Sequence, residues 1–393
     1  MPDNTHRAHD EAFWQTFADR YDVVPEPINL ENGYFGRMSR TVIEEYQRHI
    51  DFINRSNSVH VRQRFEQIES LEVRRQVAEL IGAAPEAVAL TRNASDALQA
   101  LIRNYNRLEP GDQVLICDLD YDTVKGAMRW LARYRGVEVI EINHSHPATF
   151  DSLLATYREA FVRYPRLKLM ALTHVTHRTG LVMPVQAIAA AAKQHGVDVI
   201  LDGAHALGQI EFNLDELGIA FAGFNLHKWI GAPLTLGFAY IAPSRLADID
   251  PDMGESHFPD NDIRSRTPYS TPNIPALLTL PLVLEEHRAM GGSAAKGARL
   301  NYLRNLWVGA VRGVPGIEVM TPDDPRLYCG ITSMRFTRHA DQQQMVERLL
   351  NEHNLFTVTR NGAATGPCIR ITPGFTTTAA QMQRLAQALI ELS

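Results

Sequence analysis

Ile219-Ala220-Phe221-Ala222-Gly223-Phe224-Asn225-Leu226-His227-Lys228-Trp229 is an apolar run that stops at a polar turn. The run reads as a buried strand, so Lys228 falls where a strand ends and a cavity can open. Most of the positive charge in this chain is arginine, which sets apart a lysine flanked by a histidine and a tryptophan. Taken alone, the pentapeptide allows either a lysine snorkelling from a strand end or a functional amine.

Upstream, the same grammar repeats. Ala87–Leu90, Gln113–Cys117, Val137–Ile142, Leu167–Leu172, Val197–Leu201 and Leu236–Ile241 read as strands, while Val124–Tyr134, Phe150–Phe161 and Val185–His195 read as helices. Continuous apolar strands separated by helices predict an α/β fold with a mainly parallel seven-stranded sheet sandwiched by helices. Ligands of such sheets bind outside the carboxyl ends of the strands. At those ends lie Asp118–Asp122, Thr173–Gly180, Asp202–Ala206 and the lysine turn. After Pro243 the alternation fades, and the final third predicts a smaller C-terminal α+β domain. The expected division is an N-terminal arm over 1–30 packing on the small domain, a large domain over 31–280 and a small domain over 281–393.

With 393 residues and 45% hydrophobic composition, the chain can bury a large core. A net charge of −6 without lysine/arginine blocks argues against nucleic acid or an anionic membrane as the main partner. No run approaches the roughly 18 apolar residues of a membrane span. Three scattered cysteines without CxxC spacing fit a reducing compartment, so a cytoplasmic location is expected. His174, His177, His205 and His227 could be imagined around a metal, but no HExxH motif is present and no metal is expected. No GxGxxG or GxxxxGK[ST] loop occurs, which disfavours a nicotinamide oxidoreductase.

Two further stretches carry chemistry. Thr91-Arg92-Asn93-Ala94-Ser95-Asp96 joins a strand to an amphipathic helix; its residues are either a plain N-cap or a phosphate seat at the positive end of a helix. Asn29-Leu30-Glu31-Asn32-Gly33-Tyr34-Phe35-Gly36 is a glycine-punctuated turn whose glycines are explained by backbone angles alone. An aldehyde cofactor held as a Schiff base needs a lysine of lowered pKa, and Lys228 has the setting. A pyridine ring draws electrons when a carboxylate keeps its nitrogen protonated, and Asp202 is the candidate. Tyr121 would supply a stacking ring and His205 a donor to the phenolic oxygen.

Asp202-Gly203-Ala204-His205-Ala206-Leu207-Gly208, followed by Asn225-Leu226-His227-Lys228-Trp229 and Gly231, resembles the signature of class V aminotransferase-like, fold-type I pyridoxal-phosphate enzymes. The chain looks most similar to their isopenicillin N epimerase-like branch. The likeness extends to Asn32-Gly33 with Gly36, Thr91–Ser95, His174-Val175 with Thr179-Gly180 and Pro184, Ser270–Asn273, and Ile369-Arg370-Ile371.

The resemblance implies pyridoxal 5'-phosphate as cofactor, an amino-acid-type substrate and a homodimer with its active site completed across the interface. Lys228 would hold the cofactor aldehyde and then carry the Cα proton, and Asp202 would pair with the pyridinium. Tyr121 would stack on the ring, with His205 and Thr176 near its phenolic oxygen. Asn93, Ala94, Ser95, Asn225 and His227 would hold the phosphate, joined by Thr271 from the second subunit. Arg370 would grip the substrate α-carboxylate, with Asn32 nearby. The chain departs from the family in having Phe221-Ala222-Gly223 before the lysine turn where an aspartate is often found, and Thr372–Phe375 after the arginine. It also lacks the cysteine that a desulfurase carries some residues before that arginine, which disfavours persulfide chemistry. The expected activity is therefore epimerase- or aminotransferase-like, at the α-carbon. A lyase, decarboxylase or C–S cleaving enzyme is the alternative, and a non-catalytic binding protein of the same fold the more distant one.

Overall fold

The computed structural model describes residues 4–393. After a short strand β1 (Ile28–Asn29), seven strands form the central sheet: β2 (Val88–Thr91), β3 (Gln113–Cys117), β4 (Glu138–Ile142), β5 (Leu167–Thr173), β6 (Asp198–Asp202), β7 (Phe221–Asn225) and β8 (Gly237–Ile241). Their spatial order is β2-β8-β7-β6-β5-β3-β4. Strands β4, β3, β5, β6 and β7 run parallel, whereas β8 is antiparallel to both its neighbours, β7 and β2. Every residue of β3, β7 and β8 is buried, because helices cover both faces and leave no polar side to the sheet.

The C-terminal region builds a second, antiparallel sheet from β9 (Ile317–Val319), β10 (Thr332–Phe336), β12 (Val358–Arg360) and β13 (Cys368–Ile371), in the order β12-β13-β10-β9. The remaining strand, β11 (Leu355–Phe356), pairs in parallel with β1. Neither the β1–β11 pair nor β12 stands out in the sequence, since two- and three-residue strands carry no periodicity. Helices Gly292–Val311 and Ala379–Glu391 cover this sheet around a core that includes Trp307, Phe336, Met345 and Leu389. The N-terminal helix Asn4–His9 lies on Gly292–Val311, and Trp14, Phe17 and Tyr21 join Met290 and Ala295 in an apolar cluster. Among the described residues, no helix is long and apolar enough to cross a membrane.

The two sheets are fastened at the turn Thr176–Leu181. There the Thr321 hydroxyl donates to the Thr179 carbonyl and the Ser333 hydroxyl to that of Arg178. Gly180 takes φ +69°, and a Cβ on it would lie 2.0 Å from the Ile331 carbonyl oxygen. Gly180→Ala should therefore lower unfolding free energy by at least about 2 kcal/mol, through both the left-handed backbone and the clash. Denaturant titration checks this, and a wild-type midpoint would refute it.

Candidate active site

Lys228 lies one short turn beyond β7, and its environment is dry. Burial is the main cause that pulls its amine down from 10.5 to about 8; Arg370 and Arg360 push the same way, against Asp202 and Glu31. Its Nζ lies 3.0 Å from His205 Nε2. The Trp229 indole can only donate, and it reaches His205 Nδ1 at 3.4 Å. His205 is neutral, because burial and then the neighbouring Lys228 push its pKa far down. With Nδ1 accepting from the indole, the ring proton must be on Nε2, where it points at Lys228 Nζ. An ammonium has no lone pair to receive that proton, so the arrangement suits the free, nucleophilic amine.

The lysine turn is gripped by its neighbours. Lys296 Nζ donates to the Trp229 carbonyl at 2.6 Å, and Gly36 N donates to the His227 carbonyl at 2.8 Å. A Cβ on Gly36 would fall 2.0 Å from the Lys228 carbonyl oxygen, and one on Gly33 would fall 3.3 Å from Arg370 Nη2. Neither glycine has positive φ. Their small size, and not the backbone freedom expected from the sequence, is what this turn requires.

Asp202 ends β6, fully buried. Its Oδ1 accepts from Ala204 N at 2.9 Å, Oδ2 has no partner among the described residues, and burial raises its pKa. Asn93 caps the helix Ala94–Asn104, its Oδ1 accepting from Asp96 N at 2.9 Å. The Ala94 N–H donates to Asn225 Oδ1 at 2.9 Å, which ties the helix start to the end of β7. Among the described residues no acceptor meets the Ser95 N–H, so it is the free backbone donor of that first turn, while the Ser95 hydroxyl lies 3.5 Å from that of Thr123. His227 Nδ1–H donates to the Leu236 carbonyl at 2.9 Å, and burial keeps the ring neutral.

Tyr121 is 40% exposed, with the His177 ring edge-on at 5.0 Å. Arg178 holds the loop carrying Tyr121: it binds both Asp122 oxygens at 2.7 and 2.8 Å, the carbonyls of Asp118 and Asp120, and that of Asn361 just past β12. Thr176 is buried, its hydroxyl used within its own turn by Leu181 N and Thr179. His174 is also buried, edge-on to Phe212.

Arg370 stands on β13 with its guanidinium bonded to Glu31 and to the His177 carbonyl, the latter at 2.6 Å. Asn32 donates to the carbonyls of Asn29 and Thr372, both at 3.0 Å. Thr271 is exposed, in the loop before helix Ile274–Ala289. Glu31, Arg360 and Arg178 were not singled out from sequence, and His177 was weighed only as a metal ligand. Glu31 belongs to the glycine-punctuated turn already marked, whereas the others needed the fold to bring them in.

Solved structures share this architecture. The cystine C–S lyase C-DES, in complex with cysteine persulfide, matches with a TM-score of 0.81 at 18% identity, covering 94% of this chain and 98% of that one. The cysteine desulfurase CsdA from Escherichia coli gives 0.79 at 18% identity, covering 96% and 98%. The fold is thus that of fold-type I pyridoxal-phosphate enzymes. Residues 37–385 match the family model for aminotransferase class-V, and the chain belongs to that family of pyridoxal-phosphate-dependent enzymes, as the sequence resemblance implied. Isopenicillin N epimerase of Streptomyces clavuligerus is 26% identical, over 97% of this chain and 99% of that protein. A probable cysteine desulfurase of Vibrio cholerae serotype O1 is also 26% identical, over 70% and 69%.

Because only the free amine attacks an aldehyde, the apo protein should take up pyridoxal phosphate faster as pH rises, with a midpoint near 8. In Trp229→Phe the imidazole is free to present a lone pair at Nε2 to an ammonium, so the midpoint should move up by about one unit. Stopped-flow uptake against pH checks both, and an unmoved midpoint would refute the indole's part.

Proposed function

We propose that this chain acts at the α-carbon of an amino acid or amino-acid-derived metabolite, as an epimerase- or aminotransferase-like enzyme. The observation that carries this reading is the desolvated Lys228 amine, its pKa lowered by burial, held by a histidine whose tautomer suits the free amine. The nearly end-to-end relation to isopenicillin N epimerases supports it. Desulfurase chemistry through an enzyme thiol is disfavoured, since Cys117, Cys329 and Cys368 are all buried and burial raises each thiol's pKa.

When bound, pyridoxal phosphate supplies an aldehyde for amines and a ring that accepts the electron pair left at Cα. The residues present fit it: a buried carboxylate with one free oxygen at Asp202, a free helix-start donor at Ser95 and an exposed ring at Tyr121. Lys228 anchors the aldehyde end and, once freed by the substrate amine, takes the Cα proton on Nζ. Asp202 Oδ2 would hold the protonated ring nitrogen, and His205, with Thr176 nearby, would hold the phenolic oxygen. Asn93, Ala94, Ser95, Asn225 and His227 form the phosphate end, with Asn225 also orienting the helix through Ala94. Tyr121 covers one ring face, while Arg370, with Asn32 beside it, takes the substrate α-carboxylate.

The working unit in this reading is a homodimer in the cytoplasm, with Thr271 of each subunit completing the phosphate site of the other. Exposed Ile50, Phe52, Val59 and Ile68 along the helical stretch 40–69 give it an apolar surface to bury. The chain divides as an arm over 1–30, a cofactor domain over 31–280 and a small domain over 281–393.

Purified protein should show the visible band of amine-bound cofactor and lose it on borohydride reduction. Lys228→Ala should abolish turnover, and full activity in that variant would end the proposal. Incubation with amino acids in deuterated water then separates the chemistries. Exchange with inversion at Cα identifies an epimerase, keto acid a transaminase, and release of carbon dioxide or a leaving group without either would refute the reading in favour of a lyase.

A further inference from the structure

Three charged side chains meet beside Lys228, and their arithmetic restricts what can enter. On the antiparallel pair β12–β13, Arg360 lies opposite Cys368, and Arg370 is two residues further along β13. Both arginines therefore emerge on one face of the sheet. Glu31 reaches that face from the turn after β1. Its Oε1 accepts from Arg360 Nη2 at 2.9 Å and from Arg370 Nη2. Its Oε2 accepts from Arg370 Nε at 3.3 Å and lies 3.2 Å from the Thr372 hydroxyl, whose single proton is shared with the Leu30 carbonyl at 3.1 Å.

Three guanidinium N–H groups and the shared Thr372 hydroxyl surround the carboxylate, so Glu31 is fixed in place and cannot turn to meet a substrate ammonium. Only 7% of its side chain and 2% of that of Arg370 are exposed. On Arg370, Nε and one N–H of Nη2 are used by Glu31, and one N–H of Nη1 by the His177 carbonyl. One N–H remains on each of Nη1 and Nη2, an end-on fork sized for one carboxylate. Among the described residues the Arg360 guanidinium is bonded only to Glu31, and its Nε is buried without a partner. His177 and His205 are kept neutral by burial and by the cations around them. Two guanidiniums and one carboxylate leave a single positive charge in this cluster, and Lys228 and Asp202 beside it are of opposite sign. One incoming carboxylate neutralises it, and a second would remain uncompensated in a dry site.

We propose that Glu31 makes this pocket selective for amino acids that carry one anionic group, by occupying the side of Arg370 and cancelling Arg360 so that substrates with an acidic side chain are rejected. The proposal rests on the reading of Arg370 as the carboxylate anchor and deepens it: Glu31 and Arg360 determine specificity without carrying out the reaction.

The test uses calorimetric titration of the holoenzyme with succinate and with monomethyl succinate, matched in length but differing by one charge, and neither having an amine to react. Wild type should bind the monoester at least about tenfold more tightly. In Glu31→Gln both ligands should gain, succinate by at least about tenfold more, erasing the preference. Adding Arg360→Met to that variant returns the pocket to one positive charge and should restore the preference, which repair of a merely structural defect would not do. If Glu31→Gln does not fold, Arg360→Met alone should weaken monoester binding by about tenfold, because the pocket is then already neutral. Equal affinities in wild type, a ratio unmoved by Glu31→Gln, or binding of neither ligand would overturn the proposal. The visible cofactor band, followed in the same samples, reports on the Lys228 reading separately: its absence alongside an intact ligand preference would fail that reading and not this one.

Discussion

Keeping an amine out of water sets the terms for the rest of this molecule. A lysine whose pKa falls from 10.5 to about 8 on folding burdens the fold by about 3 kcal/mol at neutral pH and below. That penalty fades only as pH climbs from about 8 to 10.5, since over that range the unfolded chain holds the proton that the folded one has released. Much of the surrounding architecture bears on this cost. Trp229 and His205 present a donor in place of an acceptor, Lys296 and Gly36 pin the turn through backbone carbonyls, and apolar β7 leads into it from the core. Any ligand that takes the amine in its uncharged form relieves the burden, so cofactor capture and stability are linked.

The large sheet was legible because most of its strands are continuous apolar runs, with helices of clear period between them. All seven were visible as runs of sequence. The antiparallel setting of β8 was not, because direction depends on the path of the connection and leaves no mark in a five-residue strand. The lysine turn, Asp202 and the Asn93–Ser95 junction were legible as strand ends, where a parallel sheet concentrates its chemistry. Glu31 and Arg360 were hidden for a different reason. Both lie on or beside strands of two or three residues, and their meaning comes from register across β12 and β13 and from a contact more than three hundred residues away in sequence.

Several side chains marked for the cofactor prove to be bonded to the backbone around them. Asn225 is bonded to Ala94, Asn93 to Asp96 and His227 to Leu236. These bonds fix where the free groups point, chiefly the Ser95 N–H, Asp202 Oδ2 and Lys228 Nζ. Preorganisation of this kind lowers the entropy lost when a ligand is fixed. Arg178 serves in the same way for Tyr121, by clamping the loop on which that ring stands while touching Asn361 just past β12.

The segment from Ile28 to Gly36 is moored at both ends. At one end β1 is hydrogen-bonded to β11 of the C-terminal region; at the other, Gly36 is bonded to the backbone of the lysine turn. Even drawn straight, eight residue steps span no more than about 28 Å. The strip is a leash: while its two moorings hold, it limits how far the C-terminal sheet can swing from Lys228, and it carries Glu31 along with every such swing. The mouth of the site and the charge inside it are therefore set by one length of chain.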